Sequence, residues 1–145
     1  MSTITISRTV AAPPEQVFDA WVQPQQLARW WWPQWPDTSY QLDVTVGGNY
    51  RIHNAANGIG VFGEFTVVDR PNTLAMTWIW ADEEPPRNAA GENVVDEVTV
   101  TFTPVSAGTE VTVRHTSTEH IAGGGAEQGW NDVLDRLPAW FAGRG

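Results

Sequence analysis

Between residues 94 and 141 the chain passes through two alternating strand patterns into one amphipathic helix, and this order restricts the fold more than any other feature. Val98, Val100 and Phe102 share one face of the stretch Val94 to Thr103, with Glu97, Thr99 and Thr101 opposite. After the turn Ser106-Ala107-Gly108, Val111, Val113 and His115 line up in the same way. Alternation with a period of two marks a half-buried strand. Gly123-Gly124-Gly125 then leads to Trp130, Val133, Leu134, Leu137 and Phe141, whose spacing places them on a single helical stripe. A strand meander covered by one long helix must curve around that helix, and such a curve leaves space for a cavity between the two layers.

The upstream sequence supplies the rest of the sheet. Residues 3 to 10 read as a first strand with Ile4, Ile6 and Val10 inward. Pro13 and Pro14 suit the first turn of a helix, where a missing N–H costs nothing, and Glu15 complements the helix dipole there. Val17, Phe18 and Trp21 form its apolar stripe; Pro24 interrupts, and a second short helix is predicted from Gln25 to Trp31, ended by Pro33 and Pro36. From Tyr40 the period becomes two. Gly47-Gly48 and Asn57-Gly58 are turn signals, Tyr50 and Ile52 alternate with Arg51 and His53, and Leu74, Met76, Trp78 and Trp80 share a face. Asp82 to Asn93, with two prolines and several charges, is predicted to be a mobile loop. The expected architecture is a single α+β domain over residues 1–145. It has a curved antiparallel sheet of about six to seven strands, two short helices after the first strand, and one long C-terminal helix.

Composition narrows the function classes. The net charge is -9, from 17 acidic and 8 basic side chains, and all of the basic ones are Arg. With no basic cluster, neither nucleic acid nor an anionic membrane is an expected partner. The chain has no Cys, which removes disulfides, thiolate nucleophiles and most soft-metal sites. No apolar run reaches membrane-spanning length and the N-terminus lacks the pattern of a signal peptide, so a cytoplasmic protein is expected. Nine Trp are unusual for 145 residues. They can build a firm core or line a cavity with aromatic faces.

Several motifs, taken in order, resemble the START-like, birch-allergen-type helix-grip superfamily. More narrowly they resemble the family related to the C-terminal domain of the activator of heat-shock protein 90 ATPase. These are Ala12-Pro13-Pro14-Glu15-Gln16-Val17-Phe18-Asp19-Ala20-Trp21, Leu27-Ala28-Arg29-Trp30-Trp31, Gly47-Gly48-Asn49-Tyr50-Arg51 and Arg70-Pro71-Asn72-Thr73-Leu74 with Thr77-Trp78-Ile79-Trp80. Gly108-Thr109-Glu110-Val111-Thr112-Val113 and Gln128-Gly129-Trp130 followed by Val133-Leu134-Asp135-Arg136-Leu137 complete the set. The resemblance covers nearly the whole chain and implies a helix-grip fold with a cavity. Members of the superfamily bind lipids, steroids, polyketides or other apolar molecules, and some are cyclases. The chain carries no counterpart of the co-chaperone's extra N-terminal domain, so a direct chaperone role is not expected. Pro138 departs from the pattern and is expected to kink the last helical turn.

Together these features predict a cavity for an apolar small molecule, aromatic, polyketide-like or lipid-like. Its walls would come from Tyr50, Ile52, Met76, Trp78, Val98, Val100, Trp130 and Leu134, with His115 as the polar anchor. Met76 suits an adaptable surface. His115 is the one candidate catalytic group; it would act with Asp96 if the chain were a cyclase or dehydratase, although a His on an apolar face is more often a core residue. His53 should face solvent with Arg51, and His120 falls in the loop before the last helix. On a helix Trp30, Trp31 and Trp32 point about 100° apart, so at least one should be exposed or cap the pocket mouth. A protein-interaction module or a homodimer is the third class, and an exposed patch at Trp31, Trp32 and Trp35 over a collapsed interior would mark it. Neither a metal nor a cofactor is expected, because the three His lack ligand spacing and Gly123-Gly124-Gly125 has no following Lys. Asp82-Glu83-Glu84 reads as a solvated loop edge.

Overall fold

The computed structural model describes residues 2–35, 37–81, 95–117 and 125–144. Its elements in chain order are β1 (Ser2–Val10), α1 (Pro14–Val22), α2 (Pro24–Trp30), β2 (Thr38–Leu42), β3 (Asn49–Asn54), β4 (Ile59–Asp69), β5 (Thr73–Ala81), β6 (Asp96–Val105), β7 (Gly108–Ser117) and α3 (Gly125–Arg144). The strands form one curved antiparallel sheet in the order β1-β7-β6-β5-β4-β3-β2. From β2 to β7 each strand pairs with its neighbour in sequence, while β1 closes onto β7 at the far edge. The connection from β1 to β2 must therefore travel from one edge of the sheet to the other, and α1 and α2 lie along it. This is the α+β helix-grip arrangement that the alternation and the single long helix predict.

The pleat decides which side chains face the helices. Ile4 and Val98 both lie opposite His115, Ile6 and Val100 opposite Val113, and Met76 opposite both Val98 and Phe65. All of these are buried. On α3, Trp130, Val133, Leu134, Leu137 and Phe141 are buried as one stripe. Pro138 lies within α3, which continues to Arg144; the amide bond it forfeits is the one to the Leu134 carbonyl. At the sheet edge Arg8 of β1 donates to Asp135 at 2.9 Å and to Asn131 at 2.7 Å, which ties the polar rim of α3 to β1.

Local chemistry sets the turns. Pro14 opens α1, with Glu15 in its first turn. Gln23 ends α1 and begins α2: its N–H reaches Asp19 O at 3.0 Å, and its carbonyl accepts from Leu27 at 2.9 Å. Pro24 therefore starts the second helix, which ends at Trp30, one residue earlier than expected. At position 63 a Cβ would stand 2.2 Å from the carbonyl oxygen of Thr77. That oxygen also accepts the Tyr50 hydroxyl, so only glycine fits there. Strand β2 begins at Thr38, two residues before Tyr40, where the alternation is predicted to start, and the predicted loop Asp82 to Asn93, with Asp82-Glu83-Glu84, lies outside the described residues, as do His120, Gly123 and Gly124.

The tryptophan triplet departs from expectation. Trp30, Trp31 and Trp32 are all buried, at 0%, 4% and 8% exposure. The 100° argument fails because the helix stops at Trp30. Trp31 is extended, with φ of -99°, and Trp32 adopts a left-handed φ of 54°, so the chain swings both rings back inward. Such a backbone state is uncommon for a bulky side chain. Trp35, partly buried, packs edge-on against Trp32 at 5.4 Å. No exposed aromatic patch forms from these residues.

Leu134 has no exposed surface and sits in the middle of the α3 stripe. Truncation to Ala is expected to cost about 2–5 kcal/mol, read as a lower urea midpoint with an unchanged slope.

Candidate functional site

The space between the sheet and the helices is filled mainly by tryptophan. Trp21 of α1 packs edge-on against Trp30 at 4.7 Å and lies 6.3 Å from both Trp31 and Trp130. Trp31 stands perpendicular to Trp130 at 5.5 Å, and Trp78 of β5 lies 4.9 Å from Trp130. These contacts join α1, α2, β5 and α3 through aromatic edges and faces, the geometry that ring quadrupoles favour.

What remains of the expected cavity is a hollow of ≈ 20 Å³. Of the predicted wall residues, Tyr50, Ile52, Met76, Trp78 and Trp130 line it; Val98, Val100 and Leu134 are buried in the core and do not. Trp21, Leu27, Trp31, Leu42, Phe65 and Leu74 complete the lining. The volume suits about one water molecule. A larger groove of ≈ 530 Å³ lies along β2, β3 and β4, where Gln41, Arg51, His53 and Phe62 flank Gly60 and Gly63. It opens to solvent, and no periodicity in the sequence pointed to it.

Beside the hollow is a buried polar relay. Trp130 Nε1 donates to His115 Nδ1 at 2.8 Å, and His115 Nε2 lies 2.6 Å from Asp96 Oδ2. An indole N–H can only donate, so Nδ1 accepts and Nε2 carries the proton that goes to the carboxylate. His115 is 2% exposed and Asp96 13%. The sheet register brings them together: Val98 pairs with His115, and Asp96 stands two residues before Val98 on the same face. With both ring nitrogens occupied, His115 has no lone pair or proton left for a guest. Asp96 Oδ1, by contrast, is buried without a partner. Among the described residues three further buried groups lack partners: the indole N–H groups of Trp21 and Trp31, and Arg136 Nη1 on α3. Trp30 Nε1 is satisfied by Ala20 O at 3.1 Å.

Tyr50 is fixed by donating its hydroxyl to Thr77 O at 2.6 Å, and burial pushes its proton loss far above the ordinary tyrosine range. Tyr40, whose hydroxyl bonds the Trp31 carbonyl, is raised by burial as well. His53 is half-buried on the outer face, beside the exposed Arg51. Among the described residues no group of three His, Cys, Asp or Glu side chains could hold a metal ion, and no helix is long and apolar enough to cross a membrane.

Two outcomes follow from these bonds. Trp130→Phe keeps most of the ring but leaves Nδ1 of His115 without its donor; a loss of about 1–3 kcal/mol in urea unfolding is expected, together with a changed 15N signature of the His115 ring. For Tyr50, the unfolded chain releases the phenol proton near pH 10 and the folded chain retains it. The folded state therefore binds more protons above pH 10, and stability falls as pH rises, by up to about 1.4 kcal/mol per pH unit from this group. Unfolding midpoints from pH 9 to 11 should fall less steeply for Tyr50→Phe than for the parent.

Solved structures share this architecture. Protein MLL2253 from Mesorhizobium loti is 25% identical, with 99% of this chain and 98% of that one aligned at a TM-score of 0.78. A protein from Rhizobium leguminosarum is 23% identical over 97% and 94% of the two chains, at 0.79. CalU16 from Micromonospora echinospora is 21% identical over 97% of this chain and 76% of its own, at 0.71. No curated protein matches the chain. The model of the family described as activator of Hsp90 ATPase homolog 1-like protein matches residues 11–142, nearly the full length, and the chain belongs to that family.

Proposed function

We propose that this domain binds an apolar small molecule, aromatic, polyketide-like or lipid-like, between the concave face of its sheet and α3. The observation that carries the reading is the hollow within the tryptophan cluster, apolar over nearly all of its lining, two of whose lining indoles have N–H groups without a partner. Ligand sites commonly combine an apolar lining with a few convergent polar groups. The fold belongs to a class that binds ligands, and one structural neighbour, DynU16, comes from the dynemicin biosynthetic locus; at 20% identity it supports the fold alone.

Binding here requires displacement. A hollow of ≈ 20 Å³ admits no ring compound until side chains move. Met76 is the unbranched, readily re-rotated wall residue and is the first candidate to yield. Burying about 200 Å² of ring surface contributes about 5 kcal/mol, less the cost of opening, so a two-ring compound should bind at roughly millimolar Kd.

Proton transfer beside the hollow is a second reading, favoured by Asp96 Oδ1, a buried acceptor held in place by His115; Asp96 does not line the hollow itself, so a substrate would have to open a way to it. In that reading Asp96 meets the substrate and His115 positions it, whereas from sequence His115 is expected to act with Asp96 as proton-transfer groups.

Titration with two-ring aromatics and medium-chain lipids, followed by Trp fluorescence and amide NMR, tests the binding reading. Saturable shifts centred on Trp31, Met76, Trp78 and Trp130 are expected. Absence of saturable shifts with every compound would point instead to a protein-interaction domain with a closed core.

A further inference from the structure

We infer that the guest carries an uncharged oxygen acceptor, of the ketone or quinone kind, and that the indole N–H groups of Trp21 and Trp31 are the donors that receive it. This rests on the binding reading above and narrows it to a ligand chemistry. Both rings line the ≈ 20 Å³ hollow, both are 4% exposed, and neither N–H has a partner. Elsewhere in the same cluster the fold does supply acceptors: Trp30 has the Ala20 carbonyl and Trp130 has the His115 imidazole. Buried donors are rarely left unmet, and two on one hollow form a recognition feature rather than a packing accident.

The lining also limits the charge of the acceptor. Among the described residues it contains no Arg and no His. A carboxylate or phosphate would be buried against two neutral donors alone, a poor exchange for its hydration. A ligand hydroxyl would bring a donor as well, and in the described lining the one hydroxyl oxygen able to accept it is that of Tyr50, whose own proton goes to Thr77 O. A carbonyl oxygen needs only donors, and the hollow is already large enough for that one atom. The attached ring is the part that must displace Met76.

The test compares 2-acetylnaphthalene with 2-ethylnaphthalene, which differ mainly in the carbonyl, by NMR titration of the 15N-labelled full chain. The ketone is expected to bind roughly three- to tenfold more tightly. The indole N–H resonances of Trp21 and Trp31, assigned with Trp21→Phe and Trp31→Phe, should move downfield with the ketone and not with the hydrocarbon. Each single substitution should reduce the preference, and the double substitution should abolish it while hydrocarbon binding persists. If the double variant does not fold, the indole shifts of the parent protein decide. Equal affinity for the two compounds, with both indole signals unmoved, overturns the donor assignment and leaves apolar binding intact. Failure of both compounds to bind overturns the binding reading itself.

Discussion

One helix has to close the concave face of a seven-stranded sheet, and the rest of the interior follows from that constraint. α3 alone is too narrow, so α1 and α2 are recruited from the long connection between β1 and β2. The space among them is bridged by large flat side chains, Trp21, Trp30, Trp31, Trp78 and Trp130, each in contact with others of the set. Aliphatic residues on the sheet, such as Val98, Val100 and Val113, form the floor. The polar rim is held by Arg8, which joins the edge strand to Asn131 and Asp135. This explains the tryptophan content: wide gaps between curved layers are filled most completely by bicyclic rings.

The same packing organises the polar chemistry. Trp130 spans two roles, as part of the aromatic cluster and as donor to His115. Its bond leaves the imidazole neutral and aims Nε2–H at Asp96, so His115 connects helix to sheet rather than presenting a nitrogen to the hollow. Among the described residues the unspent capacity sits instead on Asp96, Trp21 and Trp31, with Arg136 Nη1 a further unmet donor on α3. A buried relay of this kind gains from low dielectric surroundings when its bonds are complete, and its loose ends are correspondingly informative.

Most of the fold was legible because each central strand is half-buried, and half-burial writes a period of two into the residues. Val98, Val100 and Phe102, or Val111, Val113 and His115, carry that signal directly. Tyr50, Ile52, Met76, Trp78 and Trp130 could be placed on the inner face for the same reason. Trp21 was legible only as core, because a ring in an apolar stripe looks the same whether or not its N–H is met. Trp31 and Trp32 misled because helical angles hold only while the helix lasts, and the chain leaves it at Trp30. The pairing of Asp96 with His115 needed the β6–β7 register, which adjacent strands reveal only once the turn between them is known. The volume of the hollow was invisible, since it depends on the ring angles of the four tryptophans that line it and not on their positions in the chain.

The near absence of free space has its own meaning for recognition. A preformed pocket selects by outline, admitting what matches its walls. Here the resting walls touch, and a guest of the proposed kind would be sorted by how much rearrangement it demands of Met76 and the neighbouring indoles. Selectivity would then be stored in rotamer preferences, and single changes of side-chain stiffness at position 76 could retune the repertoire without altering a single direct contact to the guest's polar atom.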